Sequence, residues 1–586
     1  MRFRIYYSKN LATRLYKYML NRFAQLFTVL IAVFLIIMTV GCGGGGGGNP
    51  SAPGTDYSQT SVLAPNTLNT LNTPASVYSY NSSSANVSIK LPVESGTAVN
   101  YALVVVNTSA NSQPINLRPE SYVLSGSLLA QAKEEALRAS QRSTIPQSSA
   151  LDEARMRQLP FEEKMRRDFV ASLRNAGAAA GLRQNRSLRA SDHSGEKLGD
   201  IVKLNIIVSY MFTQAYQERS CKLVRMTDHC KIFVDQNPYP VGGLSAVEGQ
   251  YAITEDDLNH MVTEFENYIY PLMNGQYGKV YDIDGDGRLS IVFSPVYPSV
   301  GFAGLFNTLH MNPTKDGYKD YSNQRDMIGI WTPHALANST STGEKWRMDS
   351  RETIAHEMQH AINFSAKIFP NDIFRFPDDS NFNANEDSYL EAMWLDESLS
   401  VGSEARYRLA RGQDSVYEAR FDSWAKSSPH GYGLTSWAGV LGHYGQKGLF
   451  NYYLFEQYGA EKIKAMNQST STGISNIEAV YGKTIAELAK GFSLAVINES
   501  LRKEGLTSVS TVDKSYKFTK PVNLDLAEQV VTLGSTPISL SVPAMGTAYY
   551  LLKQPASFGG GEEFQFRIES YENLPVDILL MRLPNP

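Results

Sequence analysis

The sequence predicts an α+β fold in which a long mixed region lies between two β-rich stretches. Residues 61–125 and 507–586 alternate apolar and polar side chains, as strands with one buried face do. Over residues 196–506, strand-like runs are interspersed with segments of helical periodicity. The chain has 586 residues, 42% apolar and 19% charged, which is enough for several globular domains and excludes a disordered or polytopic membrane protein.

The N-terminus predicts export. Six basic side chains and no acidic one precede an apolar run at 26–40, which is shorter than the roughly 20 residues of a membrane span. This order is typical of a secretory signal. The sequence Thr-Val-Gly-Cys at 39–42 resembles a bacterial lipobox. We therefore predict a signal peptide over 1–41, a lipid anchor on Cys42 and a glycine-rich tether over 42–60, with an uncleaved N-terminal anchor as the alternative.

The charge balance indicates where the protein acts. The chain has a formal net charge of -4, but outside the basic export segment 48 basic residues face 58 acidic ones, a net charge of -10. An acidic body disfavours nucleic acid as a partner, because phosphate binding needs a basic surface. We expect a protein of the bacterial cell envelope, outside the cytoplasm and attached to a membrane through its lipid anchor.

The exported part divides into four predicted segments. A β-rich module over 61–125 is followed by a helical, alanine- and arginine-rich segment over 126–195. That segment is either a solvated linker or a pro-region that is removed by processing. The main domain covers 196–506, and a C-terminal β-rich domain covers 507–586.

Two cysteines, Cys221 and Cys230, stand in apolar surroundings with eight residues between them. This spacing suits a bridge across a hairpin, and in an oxidising compartment such a pair usually forms a disulfide. A metal pair that includes His229 is the alternative. With Cys42 assigned to a lipid, no thiol is left for catalysis.

The most informative segment is residues 352–364, which contains His356, Glu357 and His360. On a helix the two histidines lie one turn apart on the same face, so both imidazoles can bind one metal ion. Between them, the Glu357 carboxylate can take a proton from metal-activated water, which is why this spacing recurs in zinc hydrolases. The opposite face of the helix is apolar and consists of Ile354, Met358 and Ile362.

A catalytic zinc ion usually has three protein ligands. The third is expected from the helical segment after residue 390, which offers several carboxylates. Spacing alone does not choose among Glu391, Asp396, Glu397 and Glu404.

The two motifs together resemble a known family. His-Glu-Met-Gln-His-Ala-Ile-Asn-Phe at 356–364 and Trp-Leu-Asp-Glu-Ser-Leu-Ser at 394–400 look like the paired motifs of gluzincin metallopeptidases, in particular the hyicolysin-like secreted bacterial enzymes. The resemblance implies a gluzincin-type domain with an active-site helix, and it implies Glu397 as the third zinc ligand. The chain departs from the family at Ser398 and at Val401, where no acidic residue stands.

The same resemblance suggests a residue that stabilises the oxyanion formed during peptide hydrolysis. The sequence His-Tyr-Gly at 443–445 resembles the tyrosine position of the family. This implies Tyr444 as a catalytic residue, with His443 as the second choice. Aromatic packing is the alternative role of Tyr444.

A second metal site is suggested by Asp282, Asp284 and Asp286, which occupy positions one, three and five of a loop with glycine at position six. This is the start of an EF-hand-type calcium loop, although position twelve is Phe293 instead of glutamate. Aspartate and glycine are also good turn residues, so a structural turn is the alternative.

The predicted function is therefore a zinc-dependent endopeptidase that acts on protein or peptide substrates. One alternative is an aminopeptidase of related fold, although the sequence has no Gly-x-Met-Glu-Asn element of the kind that reads a substrate amino terminus. The other alternative is a catalytically silent surface-binding or adhesion protein built on a peptidase scaffold.

Overall fold

The computed structural model describes most of the main domain and the strands at both ends of it. The described residues are 60–62, 77–82, 87–92, 100–110, 113–121, 192–209, 215–312, 321–337, 339–370, 390–412, 420–421, 424–425, 432–503, 505, 524, 526, 530–532, 538–553, 563–570 and 575–583. They belong to one compact unit, Tyr57–Pro586. The predicted signal peptide, Cys42, residues 42–59 of the tether and residues 126–191 lie outside them. No helix in the described part of the chain is long and apolar enough to cross a membrane.

The strands fall into three groups along the chain. The first group is β1 (Thr60–Val62), β2 (Val77–Ser82), β3 (Val87–Pro92), β4 (Asn100–Asn107) and β5 (Gln113–Ser121). The second is β6 (Ile201–Ser209), β7 (Ala215–Met226), β8 (Cys230–Asp235), β9 (Leu289–Ser294), β10 (Gly304–Leu305), β11 (Met327–Trp331), β12 (His334–Leu336) and β13 (Ser339–Ser341). The third is β14 (Val530–Thr532), β15 (Ile538–Val542), β16 (Thr547–Lys553), β17 (Glu563–Ser570) and β18 (Val576–Arg582).

The described helices all lie between β8 and β14. They are α1 (Glu255–Glu264), α2 (Tyr270–Gln276), α3 (Val296–Val300), α4 (Gly343–Ile368), α5 (Met393–Ala410), α6 (Leu441–Tyr458), α7 (Ala460–Gln468), α8 (Gly473–Tyr481) and α9 (Ile485–Lys503). A π-helical stretch, Phe265–Ile269, joins α1 to α2, and short 3₁₀ turns occupy Val241–Gly243, Gly249–Tyr251 and Thr308–Met311.

A six-stranded sheet forms the centre of the main domain, in the order β10-β11-β9-β8-β7-β6. The inner strands β11, β9 and β8 are parallel, and the outer strands are antiparallel to their neighbours. All residues of β8 and β9 are buried, as expected when both faces of a parallel sheet are covered. On one face, Ile291 and Phe293 share a core with Ile354 and Met358 of α4, so the predicted apolar face of that helix packs on the sheet.

The β-rich stretches at the two ends of the main domain form joint sheets. In one sheet β4 lies between β16 and β18, and in the other β17 lies between β3 and β5. The prediction of two separate β-rich domains is therefore corrected, because each sheet contains strands from both ends of the chain. Strand alternation in a sequence reports a buried face but does not identify the pairing partner.

The predicted disulfide is absent from the structure, in which Cys221 and Cys230 are both free and buried. The Cα partner of Cys221 across the β7–β8 hairpin is Asp235, five residues after Cys230, so the cysteines are offset by about 16 Å along the strands. They also point to opposite faces of the sheet, since they belong to different hydrophobic clusters. Burial raises the pKa of both thiols, that of Cys230 to about 12.

Candidate active site

The helix α4 presents His356 and His360 on one face, one turn apart. Their ring centroids are separated by 4.9 Å. The opposite face of α4 is fixed in the core by the buried side chains of Ile354, Met358 and Ile362. The helical prediction for this segment is therefore confirmed, and burial of the apolar face directs both imidazoles away from the core.

The helix α5 places Glu397 opposite the two imidazoles. Glu397 Oε2 lies 3.5 Å from His356 Nε2, and Glu397 Oε1 lies 3.9 Å from His360 Nε2. One ligand atom from each of the three side chains lies within 4.8 Å of the others, a spacing that allows one ion to contact all three.

The other carboxylates of this region have different partners. Glu391 forms a fully buried ion pair with Lys367 at 3.0 Å and accepts a hydrogen bond from Asn476 at 2.7 Å. Asp396 Oδ2 lies 3.1 Å from His360 Nδ1, and Glu404 Oε1 lies 2.6 Å from His356 Nδ1. The four carboxylates therefore have different partners in the structure, although their spacing in the sequence could not distinguish them.

The donor set fits a zinc ion. Each histidine contacts a carboxylate through Nδ1, which orients the ring and leaves Nε2 as the atom that faces Glu397. Two imidazole nitrogens and one carboxylate are a recurrent protein ligand set of catalytic zinc. His356, His360 and Glu397 are the residues that would hold the ion.

The role of Glu404 is fixed by its second partner. Its Oε2 accepts a hydrogen bond from Arg420 Nη1 at 2.7 Å. Burial raises the pKa of Glu404, but Arg420 and His356 lower it by more, to about 2. An ionised Glu404 therefore stands behind His356. Its position seven residues after Glu397, on the same helical face, was visible in the sequence, but its contact with His356 was not.

Valine at position 401 is explained by packing. Val401 is fully buried, and a Cβ on Gly448 of α6 would overlap its side chain. The helices α5 and α6 therefore approach closely at this point, and a carboxylate at 401 would be buried in that contact. Glu404 and Asp396 contact the histidines instead.

The carboxylate of Glu357 lies beside β10. The Phe306 backbone N–H donates a hydrogen bond to Glu357 Oε2 at 2.7 Å. Burial raises the pKa of Glu357, although the two neighbouring imidazoles oppose this shift. A raised pKa brings a carboxylate closer to the value that suits a general base near neutral pH.

These side chains meet in one cleft with a cavity volume of about 150 Å³. His356, Glu357, His360 and Glu397 all line it. Apolar side chains also contribute to the wall, namely Phe306, Phe364, Leu390 and Met393. The cleft thus combines a few converging polar groups with an apolar surface, which is typical of a ligand-binding site.

The structure distinguishes Tyr444 from His443. Tyr444 lines the cleft, where the Arg420 guanidinium carbon lies 5.7 Å from its ring centroid and Trp437 packs edge-to-face against it. His443 is buried, and its Nδ1 accepts a hydrogen bond from the Ala438 backbone N–H at 2.7 Å. Burial, reinforced by Lys447, lowers the pKa of His443 to about 2.

The aspartates of the predicted calcium loop lie outside this cleft. Asp282 and Asp284 form a carboxylate group with Asp326, a residue that the sequence analysis did not select. Asp286 Oδ2 instead lies 2.5 Å from Lys231 Nζ. Asp326 stands just before β11, and only the pairing of β11 with β9 brings it to the loop.

The chain is similar to a metalloprotease. Over 266 residues it is 25% identical to the neutral metalloprotease ShpI of Staphylococcus hyicus. The match covers 44% of this chain and 56% of that protein, so the chain spans little more than half of the relative's length. No protein-family model matches the chain. The similarity supports a relationship at the level of metalloproteases.

Proposed function

We propose that the protein is a zinc-dependent endopeptidase of the hyicolysin-like gluzincin type. The observation that carries the proposal is the convergence of His356 Nε2, His360 Nε2 and a Glu397 carboxylate oxygen in a cleft that also contains Glu357. The similarity to a neutral metalloprotease supports the same reaction class. Bound zinc would supply a Lewis acid that polarises the scissile carbonyl and lowers the pKa of water.

Glu357 would act as the general base. It would accept a proton from the attacking water and pass it to the leaving amine. The hydrogen bond from the Phe306 N–H orients the carboxylate and holds Oε2, which leaves Oε1 to take the proton. The raised pKa of the buried carboxyl group favours this transfer near neutral pH.

Tyr444 would donate its hydroxyl hydrogen to the oxyanion that forms when water attacks the carbonyl. Its position on the cleft wall supports this role over that of His443, whose ring is held by the Ala438 backbone. Nearby Arg420 donates a hydrogen bond to Glu404, which contacts His356, and its guanidinium group lies over the ring of Tyr444.

The edge of the central sheet supports a peptide substrate. β10 is a terminal strand of the sheet, and its residues Gly304 and Leu305 line the cleft. An extended peptide can hydrogen-bond to such an edge as an additional strand. A substrate bound in this way would pass in front of Glu357 and the two histidines.

The place of action is part of the proposal. The signal peptide over 1–41 and lipidation of Cys42 would export the enzyme and anchor it to a membrane of the cell envelope. These features rest on the sequence alone. Labelling with a fatty-acid probe in the wild type and in Cys42→Ala tests the anchor, and equal labelling would exclude it.

The decisive experiment for the activity is the Glu357→Gln variant. We expect peptide hydrolysis to fall at least about 100-fold, because a general base contributes a factor of that order or more. Zinc content should be unchanged, because Glu357 is not one of the three ligands. Glu461→Gln is the matched control, since Glu461 is exposed on α7.

Full activity in Glu357→Gln would exclude the mechanism. Zinc binding without hydrolysis of any peptide by the wild type would favour a silent binding protein. Comparing free with N-acetylated peptides separates an endopeptidase, which cleaves both, from an aminopeptidase, which requires the free amine.

A further inference from the structure

A group of buried carboxylates lies at the beginning of the central parallel strands. Asp282 and Asp284 belong to the loop before β9, and Asp326 directly precedes β11. Since β9 and β11 are parallel neighbours, their first residues lie at the same edge of the sheet. The Ser290 backbone N–H donates to the Asp326 carbonyl at 2.9 Å, which fixes Asp326 beside the loop.

Each of the three carboxylates contributes one oxygen to this group. One oxygen from each of Asp282, Asp284 and Asp326 lies within 4.8 Å of the other two. Asp284 and Asp326 are only 1% and 3% exposed. Asp282 Oδ1, Asp284 Oδ2 and Asp326 Oδ1 are all buried and have no hydrogen-bond partner among the described residues.

Two basic side chains near the loop form ion pairs with other acids. Lys231 Nζ lies 2.5 Å from Asp286 Oδ2 and 2.9 Å from Glu196 Oε2. Arg325 Nη2 lies 2.5 Å from the other oxygen of Glu196. These two cations and two carboxylates balance one another. The described residues therefore leave the negative charges of Asp282, Asp284 and Asp326 without an ion pair.

Three adjacent ionised carboxylates with buried oxygens need a compensating charge, because an unpaired buried ion strongly destabilises the folded state. We propose that Asp282, Asp284 and Asp326 bind a calcium ion. All available donors are oxygen atoms, which suit a hard cation, and no histidine or thiol belongs to the group. Backbone carbonyls and water molecules would complete the six to eight ligands that calcium takes.

Asp326 replaces the acidic ligand that the EF-hand pattern has at position twelve. Position twelve of the loop, Phe293, is buried in β9 and cannot provide a ligand. The missing acidic ligand comes instead from the neighbouring strand. Asp286, at position five, is held by Lys231 and tethers the loop to β8.

The ion would join the loop before β9 to the start of β11. The cleft lies toward the other end of β11, where Gly304 of β10 pairs with Ile330. Calcium is therefore expected to stabilise the sheet without taking part in hydrolysis. This inference does not depend on the proposed peptidase activity.

The test is a calcium titration of the full-length, zinc-loaded protein in calcium-depleted buffer at constant zinc concentration. Calorimetry measures the Tm of the wild type, Asp326→Asn and Asp228→Asn. Asp228→Asn is the matched control, because Asp228 is an exposed aspartate in the adjacent β7–β8 hairpin. If Asp326→Asn does not fold, Asp282→Asn provides the same comparison, since this residue is partly exposed.

We expect calcium to raise the Tm of the wild type and of Asp228→Asn by several degrees, and to leave that of Asp326→Asn almost unchanged. Without calcium, the Tm of Asp326→Asn should be at least as high as that of the wild type, because the substitution removes a buried negative charge. An equal calcium effect in the wild type and Asp326→Asn would overturn the site. An absent effect in the wild type, or an equal effect of magnesium, would overturn the assignment to calcium.

Discussion

At the scale of single residues, the acidic side chains of the candidate zinc site have distinct tasks. Glu397 faces both Nε2 atoms, whereas Asp396 and Glu404 hold the Nδ1 atoms behind them. A carboxylate at Nδ1 fixes the tautomer and the direction of the imidazole lone pair, and it makes the ring a more basic ligand. A carboxylate that faces the Nε2 atoms can therefore be a metal ligand, whereas one that contacts Nδ1 orients the histidine.

The Glu404→Gln substitution tests this division of tasks. An amide at position 404 can still accept a hydrogen bond from His356 Nδ1 but carries no negative charge, so it holds and polarises the ring more weakly. We expect zinc affinity to fall about 10- to 100-fold, as is usual for such supporting residues. Competition with a chromogenic chelator measures the dissociation constant.

Glu461→Gln again serves as the control for the loss of one carboxylate. Unchanged zinc affinity in Glu404→Gln would mean that the negative charge of Glu404 does not strengthen His356 as a ligand. A loss of zinc in both variants would point to a general effect of charge.

At the scale of elements, close approaches between backbones bring the groups of the candidate site together. β10 passes α4 at Gly304, where a Cβ would overlap Thr353 and lie 2.8 Å from Glu357 Cγ. α5 and α6 touch where Gly402 meets Asn451, whose amide a Cβ would also overlap. Glycine at these positions lets backbone and side chains pack at distances that a larger residue would prevent.

The Gly304→Ala variant tests the approach of β10 to α4. The added methyl group must displace β10 or rotate Glu357, and either change disturbs the hydrogen bond from the Phe306 N–H. We expect kcat/KM for peptide hydrolysis to fall at least about tenfold, since small misplacements of catalytic groups can cost up to about 100-fold. Zinc content should remain at the wild-type level.

The matched control is Gly275→Ala in α2, where an added Cβ would meet no atom within 4 Å. Its activity should equal that of the wild type. Wild-type kinetics in Gly304→Ala would show that the strand can shift without affecting Glu357.

At the scale of the whole molecule, the two ends of the Tyr57–Pro586 unit are joined through β4. This strand is buried on both faces and lies between β16 and β18. Its residues Ala102, Val104 and Val106 belong to the same core as Phe492 of α9. The N-terminal strands are thus part of the structure that packs against the main domain.

A truncated protein that begins at residue 192 tests this connection. Without β4, the apolar sides of β16 and β18 lose their shared neighbour and part of the core is exposed. We expect loss of the monomer peak in size-exclusion chromatography and a lower Tm than in the full chain, because unpaired apolar strands aggregate.

A protein that lacks only residues 1–56 is the control, since it keeps every described strand. It should remain monomeric with the Tm of the full chain. A stable monomer starting at residue 192 would show instead that the N-terminal strands are dispensable, as a removable pro-region would be.

Much of the candidate site could be predicted because its geometry is local. The spacing of His356 and His360 fixes their common face on any helix, and the apolar side chains on the opposite face fix which face is buried. The sequence also restricted the candidates for the third ligand to four carboxylates within residues 391–404. The Cys221–Cys230 bridge was wrong for a related reason, because separation along the chain does not report the register of a hairpin or the face of a sheet.

By itself, the sequence determined the elements that depend on near neighbours: the α+β composition, the histidine face of α4, the position of Glu357 and the aspartate loop before β9. Only the tertiary structure decided which groups meet across long separations. It placed Glu404 behind His356, brought Asp326 to Asp284 and inserted β4 between β16 and β18. The physical reason is that helical and strand periodicities act over a few residues, whereas helix packing and strand pairing are set by burial and hydrogen bonding of the whole chain.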